Sequence, residues 1–171
     1  MNVRAAAASA AVLLFVACAG EPRAPEAALA PRGRAVEFAF GTPSGELLSS
    51  QNTRGRVTAL LFVATFDLTS QLMARRLDEV VRRHKPRVNA GAVALEAPND
   101  APLVEVFKSS LELSYPVALA NSVGFDHPTP FGKLDQVPTL VILDSRGHEV
   151  ARAQGVVSER DLDAALSAAA R

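Results

Sequence analysis

Apolar residues along this chain cluster and alternate in a way that predicts a mixed α/β domain. Val57 to Ala64 is a nearly continuous apolar run, which is typical of a strand buried on both faces of a parallel sheet. Val88 to Leu95 and Thr139 to Asp144 are further apolar runs with the length of strands. The central sheet is therefore expected to contain these three segments.

Helical periodicity separates and follows these runs. From Leu68 onward, apolar residues recur on one face and arginines on the other, until Lys85-Pro86 stops the pattern. Pro102 opens a second predicted helix over residues 102–113. Ser158 begins a capping sequence for a third predicted helix, which closes the chain.

Shorter segments predict a hairpin at the start of the domain and an edge strand near its end. Residues 36–40 alternate apolar and polar side chains, a Gly- and Pro-containing turn follows, and residues 46–48 return as a strand. Residues 115–119 are expected to enter another strand, and 148–152 alternate as an edge strand does. The order β-hairpin, β, α, β, α, β, β, α favours a three-layer α/β sandwich.

The first eighteen residues predict an export signal. Arg4 is followed by an apolar run, Ala5 to Val16, that is shorter than the about 20 residues a transmembrane helix needs. The run ends at Phe15-Val16-Ala17-Cys18, which resembles the lipobox of bacterial lipoproteins, although leucine is usual where Phe15 stands. The resemblance implies a lipid anchor at Cys18, and an ordinary signal peptide with an incidental cysteine is the alternative.

Residues 19–34 are rich in proline, alanine and charged residues, and they predict a tether between this anchor and a domain at 35–171. Ala19, rather than aspartate, follows Cys18, which favours the outer over the inner membrane in many Gram-negative bacteria. We expect a cell-envelope protein that faces the periplasm.

Charge and cysteine content narrow the function further. Lys plus Arg and Asp plus Glu are 18 each, so the formal net charge is zero. This balance argues against nucleic acid or an anionic membrane surface as a partner, which leaves the lipid anchor as the expected membrane contact. Cys18 is the only cysteine, so no internal disulfide can form. If Cys18 is acylated, no free thiol remains.

The stretch Val57 to Ser70 resembles the strand-to-helix turn of a thioredoxin fold. Roughly residues 36–170 are similar to the exported, membrane-anchored thioredoxin-like proteins of the TlpA/ResA and redoxin type. The segments that carry this likeness are Gly45, Gly55-Arg56-Val57, Phe62-Val63-Ala64-Thr65-Phe66, Val137-Pro138-Thr139, Gly147 and Gly155. The resemblance implies a thioredoxin-like three-layer α/β/α sandwich with an N-terminal β-hairpin extension.

The same resemblance implies that the catalytic apparatus of that family is missing. In the family Trp-Cys-x-x-Cys follows Ala-Thr; here Phe66 takes the Trp position, Asp67 the first cysteine and Ser70 the second. Leu61 matches the strand position where thioredoxins often carry a buried acid. The scaffold of a thiol–disulfide oxidoreductase is thus expected without its nucleophile.

Chemical reasoning leaves two interpretations of Asp67. A carboxylate at a helix N-terminus can cap the helix, or it can act as a ligand or an acid–base group. Ser70 would need a neighbouring base to become a nucleophile, and none lies near it in sequence. Its other interpretation is a polar residue of the first helical turn.

A peptide groove can survive the loss of the cysteines. Val137-Pro138 matches the family's cis-proline, although an ordinary trans strand entry remains open. In the family the backbone before this proline pairs with an extended substrate segment, and such pairing needs no thiol. We therefore expect a groove formed by Phe66, Leu68, Val137, Pro138 and Thr139.

Metal binding is a weaker hypothesis. His84 and His148 are isolated, and His127 lies in the loop 124–132, which could approach the site in this fold. His127 and Asp67 would supply only two ligands, so we expect no metal and no cofactor.

Two functions of different kinds follow. The first is a lipid-anchored envelope protein with a redox-inactive thioredoxin-like domain that binds a protein or peptide, or is structural. The alternative is a TlpA-like thiol–disulfide oxidoreductase with residual or non-thiol activity.

Overall fold

A computed structural model describes residues 34–120 and 128–171. Cys18, the predicted signal peptide, nearly all of the predicted tether and His127 lie outside the described residues. The elements in these ranges are, in chain order, β1 (Ala39–Gly41), β2 (Leu47–Ser49), α1 (Ser50–Thr53), β3 (Val57–Val63), α2 (Leu68–His84), β4 (Val88–Ala94), a 3₁₀ turn (Pro98–Asp100), α3 (Ala101–Ser110), β5 (Val117–Leu119), β6 (Thr139–Leu143), β7 (Glu149–Gln154) and α4 (Glu159–Ala169).

Strand β3 is the centre of a five-stranded sheet with the order β5-β4-β3-β6-β7. It pairs in parallel with β4 and antiparallel with β6. The outer strands follow the same pattern, since β5 is parallel to β4 and β7 is antiparallel to β6. Every residue of β3 is buried, as its unbroken apolar sequence predicts.

Two hydrophobic clusters cover the two faces of this sheet. One face packs against α2, α3 and α4, through residues such as Leu77, Phe107 and Leu162. The other face packs against the β1–β2 hairpin and the segment 128–137. Four aromatic rings join there, those of Phe38, Phe40, Phe62 and Phe131, with centroids 5.5 to 6.3 Å apart. The predicted fold class, a thioredoxin-like α/β sandwich with an N-terminal hairpin, is confirmed.

The hairpin closes onto the sheet at Gly91 in β4. A Cβ atom on Gly91 would lie 2.4 Å from Cδ2 and 2.8 Å from Cδ1 of Leu48, whose side chain is buried. Real side chains do not approach so closely, so any larger residue at position 91 would displace Leu48. Glycine at this position therefore sets how near the hairpin can lie.

Sequence patterns missed some of the N-terminal detail. The first strand begins at Ala39 and not at Val36, because the amide of Val36 donates to the carbonyl of Gly147 (2.9 Å) and not to the hairpin. The short helix α1 was not predicted. No helix in residues 34–120 and 128–171 is long and apolar enough to cross a membrane.

Candidate functional site

The turn after β3 carries the predicted site residues. Ala64 and Thr65 are still buried, whereas the side chain of Phe66 is 82% exposed. The amide of Asp67 donates to the carbonyl of Ala64 (3.1 Å), which closes the turn. Asp67 has extended backbone angles (φ −87°, ψ 122°) and is the N-cap residue of α2. The chain thus leaves the core at Phe66 and enters the helix at Asp67.

One carboxylate oxygen of Asp67 accepts three hydrogen bonds. The donors to Oδ2 are the Ser70 amide (2.7 Å), the Ser70 hydroxyl (2.7 Å) and the Thr69 hydroxyl (2.6 Å). The helix-cap interpretation of Asp67 is therefore confirmed. The backbone amide of Thr69 also lowers the pKa of this carboxylate, and within the described part of the chain no side chain donates to Oδ1.

These contacts fix the charge state of the carboxylate. Partial burial works to raise the pKa of Asp67, but the hydrogen bonds from Thr69 and Ser70 outweigh it and hold the pKa below its ordinary value. The group is consequently ionised at neutral pH. The turn after β3 therefore presents a fixed negative charge between the exposed side chains of Phe66 and Leu68.

Ser70 is not placed as a nucleophile. Its side chain is fully buried, and its hydroxyl lies between the Asp67 carboxylate and the amide of Ala64, which donates to it at 3.4 Å. A substrate could not reach this oxygen without opening the first turn of α2. The hydroxyl instead links the end of β3 to the start of the helix.

Glu96 is a site residue that sequence reasoning missed. The pairing of Val63 with Ala94 brings the residues after β4 beside the turn after β3, and the amide of Thr65 donates to Oε1 of Glu96. Oε2 is buried and has no hydrogen-bond partner in the described structure. The sequence signal for this residue was a charged side chain directly after an apolar strand. Neighbouring parallel strands end at the same edge of the sheet, so such a side chain is expected close to the turn after β3.

The proline loop lies on the other side of β3. Phe62 pairs with Thr139, the first residue of β6. Because the two strands are antiparallel, Val137 and Pro138, which precede β6, lie alongside Ala64. The Val137–Pro138 peptide bond is cis, as the resemblance implies. Val137 is half-buried, and neither its amide nor its carbonyl bonds to another described group. This backbone is free to pair with an added segment.

Pro138 and Thr139 hold the proline loop in place through hydrogen bonds. Both are buried; the Pro138 carbonyl accepts from the Gly155 amide (2.8 Å), and the Thr139 hydroxyl donates to the carbonyl of Gln136 (2.7 Å). Their expected part in a groove is therefore to hold Val137 in place. Whether the five predicted residues bind a peptide stays a prediction.

Apolar side chains at the start of α2 are unusually exposed. Phe66, Leu68 and Leu72 are 82%, 76% and 49% exposed. Leu68 and Leu72 share the apolar face of the helix with Met73 and Leu77, which are fully buried. The apolar face of α2 is therefore exposed in the first turns and buried farther along the helix. We call Phe66, Leu68 and Leu72 the apolar rim.

Leu61 and the histidines of the described residues lie outside this site. Leu61 is fully buried in the apolar cluster of the helical face. His84 lies 2.8 Å from Asp163 and His148 lies 3.2 Å from Asp144. No group of three or more His, Cys, Asp and Glu side chains that could hold a metal occurs in residues 34–120 and 128–171. His127 lies outside the described residues.

Comparison with solved structures identifies thioredoxin-like proteins as similar. A thiol:disulfide interchange protein of the thioredoxin family from Chlorobium tepidum is 20% identical with a TM-score of 0.70, covering 82% of this chain and 97% of its own. A secreted disulfide oxidoreductase of Mycobacterium tuberculosis is 19% identical with a TM-score of 0.61, covering 78% and 96%. StoA from Bacillus subtilis is 21% identical with a TM-score of 0.58, covering 79% and 98%.

These likenesses show the fold, and the identities are too low to carry an activity with them. No protein-family model matches the chain, and no curated protein sequence does either. The fold is thus thioredoxin-like, and function has to be argued from the residues of this chain.

Replacing Asp67 by alanine should lower the free energy of unfolding by about 1 kcal/mol at pH 7, because the first turn of α2 loses its cap. The pKa of Asp67 is lowered by folding, so this contribution exists above the ordinary carboxyl pKa and is lost as the pH falls through the lower folded value. Urea unfolding of wild type and Asp67→Ala at neutral and acidic pH measures both effects. Thr69→Ala, which removes one of the three bonds, should cost less. Equal stability of wild type and Asp67→Ala at pH 7 would contradict the cap.

Replacing Glu96 by alanine should cost about 1–3 kcal/mol, because the buried amide of Thr65 is left without an acceptor. Glu96→Gln keeps a carbonyl oxygen for that amide and should cost clearly less. The two variants are compared by urea unfolding and by hydrogen exchange at the Thr65 amide. Identical losses in both variants would mean that the bond to Thr65 is not what Glu96 contributes.

Proposed function

We propose that this chain is a lipid-anchored cell-envelope protein whose thioredoxin-like domain binds extended segments of a partner protein without thiol chemistry. One observation carries the proposal. Residues 34–171 contain no cysteine; the turn after β3 presents an exposed apolar rim, and the Val137 backbone beside it has no hydrogen-bond partner among the described residues. Apolar surface beside free backbone donors and acceptors suits an extended polypeptide.

The chemistry of the turn supports binding over catalysis. A redox thiolate at the start of a helix is stabilised by the unpaired amides of the first turn. Here the Asp67 carboxylate accepts from the amide of Ser70 and from two hydroxyl groups of that turn, and Ser70 is buried. The turn is therefore stabilised by an anion that cannot form a disulfide.

The groups presented at this surface suit an extended ligand. Val137 offers an amide and a carbonyl at the edge of the site, and Phe66 and Leu68 offer large apolar side chains. Backbone pairing supplies affinity that does not depend on sequence, and the apolar rim selects apolar side chains. The Asp67 carboxylate adds a preference for a hydrogen-bond donor or a cation in the bound segment.

The envelope location is part of the proposal. Its support is the lipobox-like Phe15-Val16-Ala17-Cys18, the tether that follows it, and the description of one similar protein as secreted. Acylation at Cys18 would hold the domain on the periplasmic face of a membrane, and Ala19 favours the outer one.

A second candidate function is a thiol–disulfide oxidoreductase of the TlpA-like type with residual or non-thiol activity. The observation in its favour is that the similar solved structures described above include a thiol:disulfide interchange protein and a disulfide oxidoreductase. It would require Asp67 to act as an acid–base group in place of a nucleophile. A thiol-dependent assay separates the two candidates.

A reduced, carboxymethylated protein chain, which stays extended, should bind the isotopically labelled domain and shift the amide resonances of Leu68 and Val137. Phe66→Ser should weaken this binding about tenfold, because a large apolar side chain contributes up to about 1.5–3 kcal/mol when buried. The matched control is Leu47→Ser, which removes another exposed leucine at the opposite end of β3, in the cleft that Arg56 lines. Unchanged binding in Phe66→Ser, or an equal loss in Leu47→Ser, would reject the apolar rim as the binding surface.

Insulin-disulfide reduction should be absent in wild type, because the domain has no thiol, and should appear in Asp67→Cys/Ser70→Cys, which restores Cys-x-x-Cys at the helix start. An active double variant beside a silent wild type would mean that the scaffold still suits a redox motif. Thiol-dependent turnover by wild type would overturn the binding proposal in favour of the oxidoreductase. The single variant Ser70→Cys is the control, since one cysteine cannot complete the exchange.

A further inference from the structure

Basic side chains gather at the end of the sheet opposite the turn after β3. Arg56 precedes β3 and Arg87 precedes β4, and the next residues of the two strands, Val57 and Val88, are paired. The two arginines are therefore neighbours. The amide of Gly55 donates to the carbonyl of Ser145 (2.9 Å), which brings the β6–β7 turn and Arg146 to the other side of Arg56.

The chain also enters the domain at this end. Val36 bonds to Gly147, and the Cβ atom of Ala35 lies 3.6 Å from the Cβ position of Gly147. Arg34 therefore joins the domain beside the β6–β7 turn. Whatever precedes residue 34 is attached at this end, which we call the entry pole.

A cleft of about 420 Å³ extends the basic surface toward the C-terminal end of α2. Arg56 and Lys85 both line it, and Lys85 donates to the hydroxyl of Ser114 at 3.1 Å. Glu46 faces the same cleft. The side chain of Arg56 has no hydrogen-bond partner in the described part of the chain, so its charge is turned outward.

Carboxylates also lie at this end, and two of them bond to neighbouring groups of the protein. Glu37 pairs with Arg54 and accepts from Ser50. Asp144 accepts from the amides of Arg146 and His148. Glu46 and Glu112 have no ion-pair partner in the described structure. Apart from Arg54, the exposed cations of the entry pole have no carboxylate partner in the described structure; they are Arg34, Arg56, Lys85, Arg87 and Arg146.

Opposite charge lies at the other end of the sheet. Asp67 lies at the turn after β3 and Asp135 in the segment 128–137, which also carries the exposed Lys133. The seven residues of β3 separate the two ends by about 23 Å at about 3.3 Å per residue. That distance exceeds the screening length of about 8 Å at physiological ionic strength, so each end interacts with its own surroundings.

We infer that the entry pole rests on an anionic lipid surface and turns the apolar rim away from it. The partner is the layer of phosphate-bearing lipid headgroups, because the cations surround the point where the chain enters and the acidic end would be repelled. The formal net charge of zero argues against binding to an anionic membrane surface. The fold nevertheless places several unpaired cations together at one end of the sheet, which the net charge does not show. The choice of a lipid surface as partner rests on the proposed envelope location, whereas the cations belong to the domain itself and do not require acylation of Cys18.

The test measures how the full chain partitions between vesicles of phosphatidylcholine alone and vesicles that also contain phosphatidylglycerol. The triple variant Arg56→Gln/Lys85→Gln/Arg87→Gln removes three cations from the entry pole. Its matched control, Arg75→Gln/Lys108→Gln/Lys133→Gln, removes three exposed cations elsewhere. Residues 1–33 are the same in every protein, so their contribution cancels in the comparison.

Each basic residue near an anionic surface strengthens binding about fivefold, so the pole variant should lose up to about 100-fold of the preference for anionic vesicles. The control should keep most of that preference, and added salt should abolish it in wild type. An equal loss in both triple variants, or no preference in wild type, would overturn the inference.

Lys85 also bonds to Ser114, so its replacement could disturb the fold. The double variant Arg56→Gln/Arg87→Gln leaves that bond in place and should still lose part of the preference. Circular dichroism checks that the triple and the double variant are folded. Phe66→Ser should leave the vesicle preference unchanged. Failure of the peptide-binding proposal and failure of this inference are thereby distinguishable.

Discussion

The complete burial of β3 is the constraint on which the rest of the structure depends. A strand with apolar side chains on both faces needs protein on both faces and a paired neighbour at each edge. The parallel pairing with β4 brings Glu96 to the amide of Thr65, and the antiparallel pairing with β6 brings the proline loop alongside Ala64. The site is therefore assembled by register, and the chain can leave the core only at Phe66.

At that exit a carboxylate caps the first turn of α2. The amides of a first helical turn favour an anion, and a carboxylate satisfies that preference as a thiolate would. Three hydrogen bonds to one oxygen make Asp67 part of the fold. The start of α2 therefore carries a negative charge at neutral pH that hydrogen bonds within its own first turn stabilise.

Most of the fold could be predicted from the sequence because it rests on local patterns. Unbroken apolar runs located β3, β4 and β6, and helical periodicity located α2 from Leu68 to His84. The exposure of Leu68 and Leu72 could not be predicted. Periodicity shows which residues share a helix face, and it does not show which of them the rest of the protein covers. Glu96 was missed because its partner is a backbone amide 31 residues earlier. The separation of charge between the two ends was hidden for the same reason, as it arises from pairing and not from composition.

The contact between Gly91 and Leu48 has an evolutionary consequence. The hairpin and the sheet meet where one residue has no side chain and the other has a large one, and the space between them is already filled. A larger residue at 91 is tolerable only beside a smaller one at 48, so the two positions are not free to vary independently. In sequences descended from this one, positions 48 and 91 should therefore change together. A larger side chain at one position should accompany a smaller one at the other, so that their combined volume stays constant.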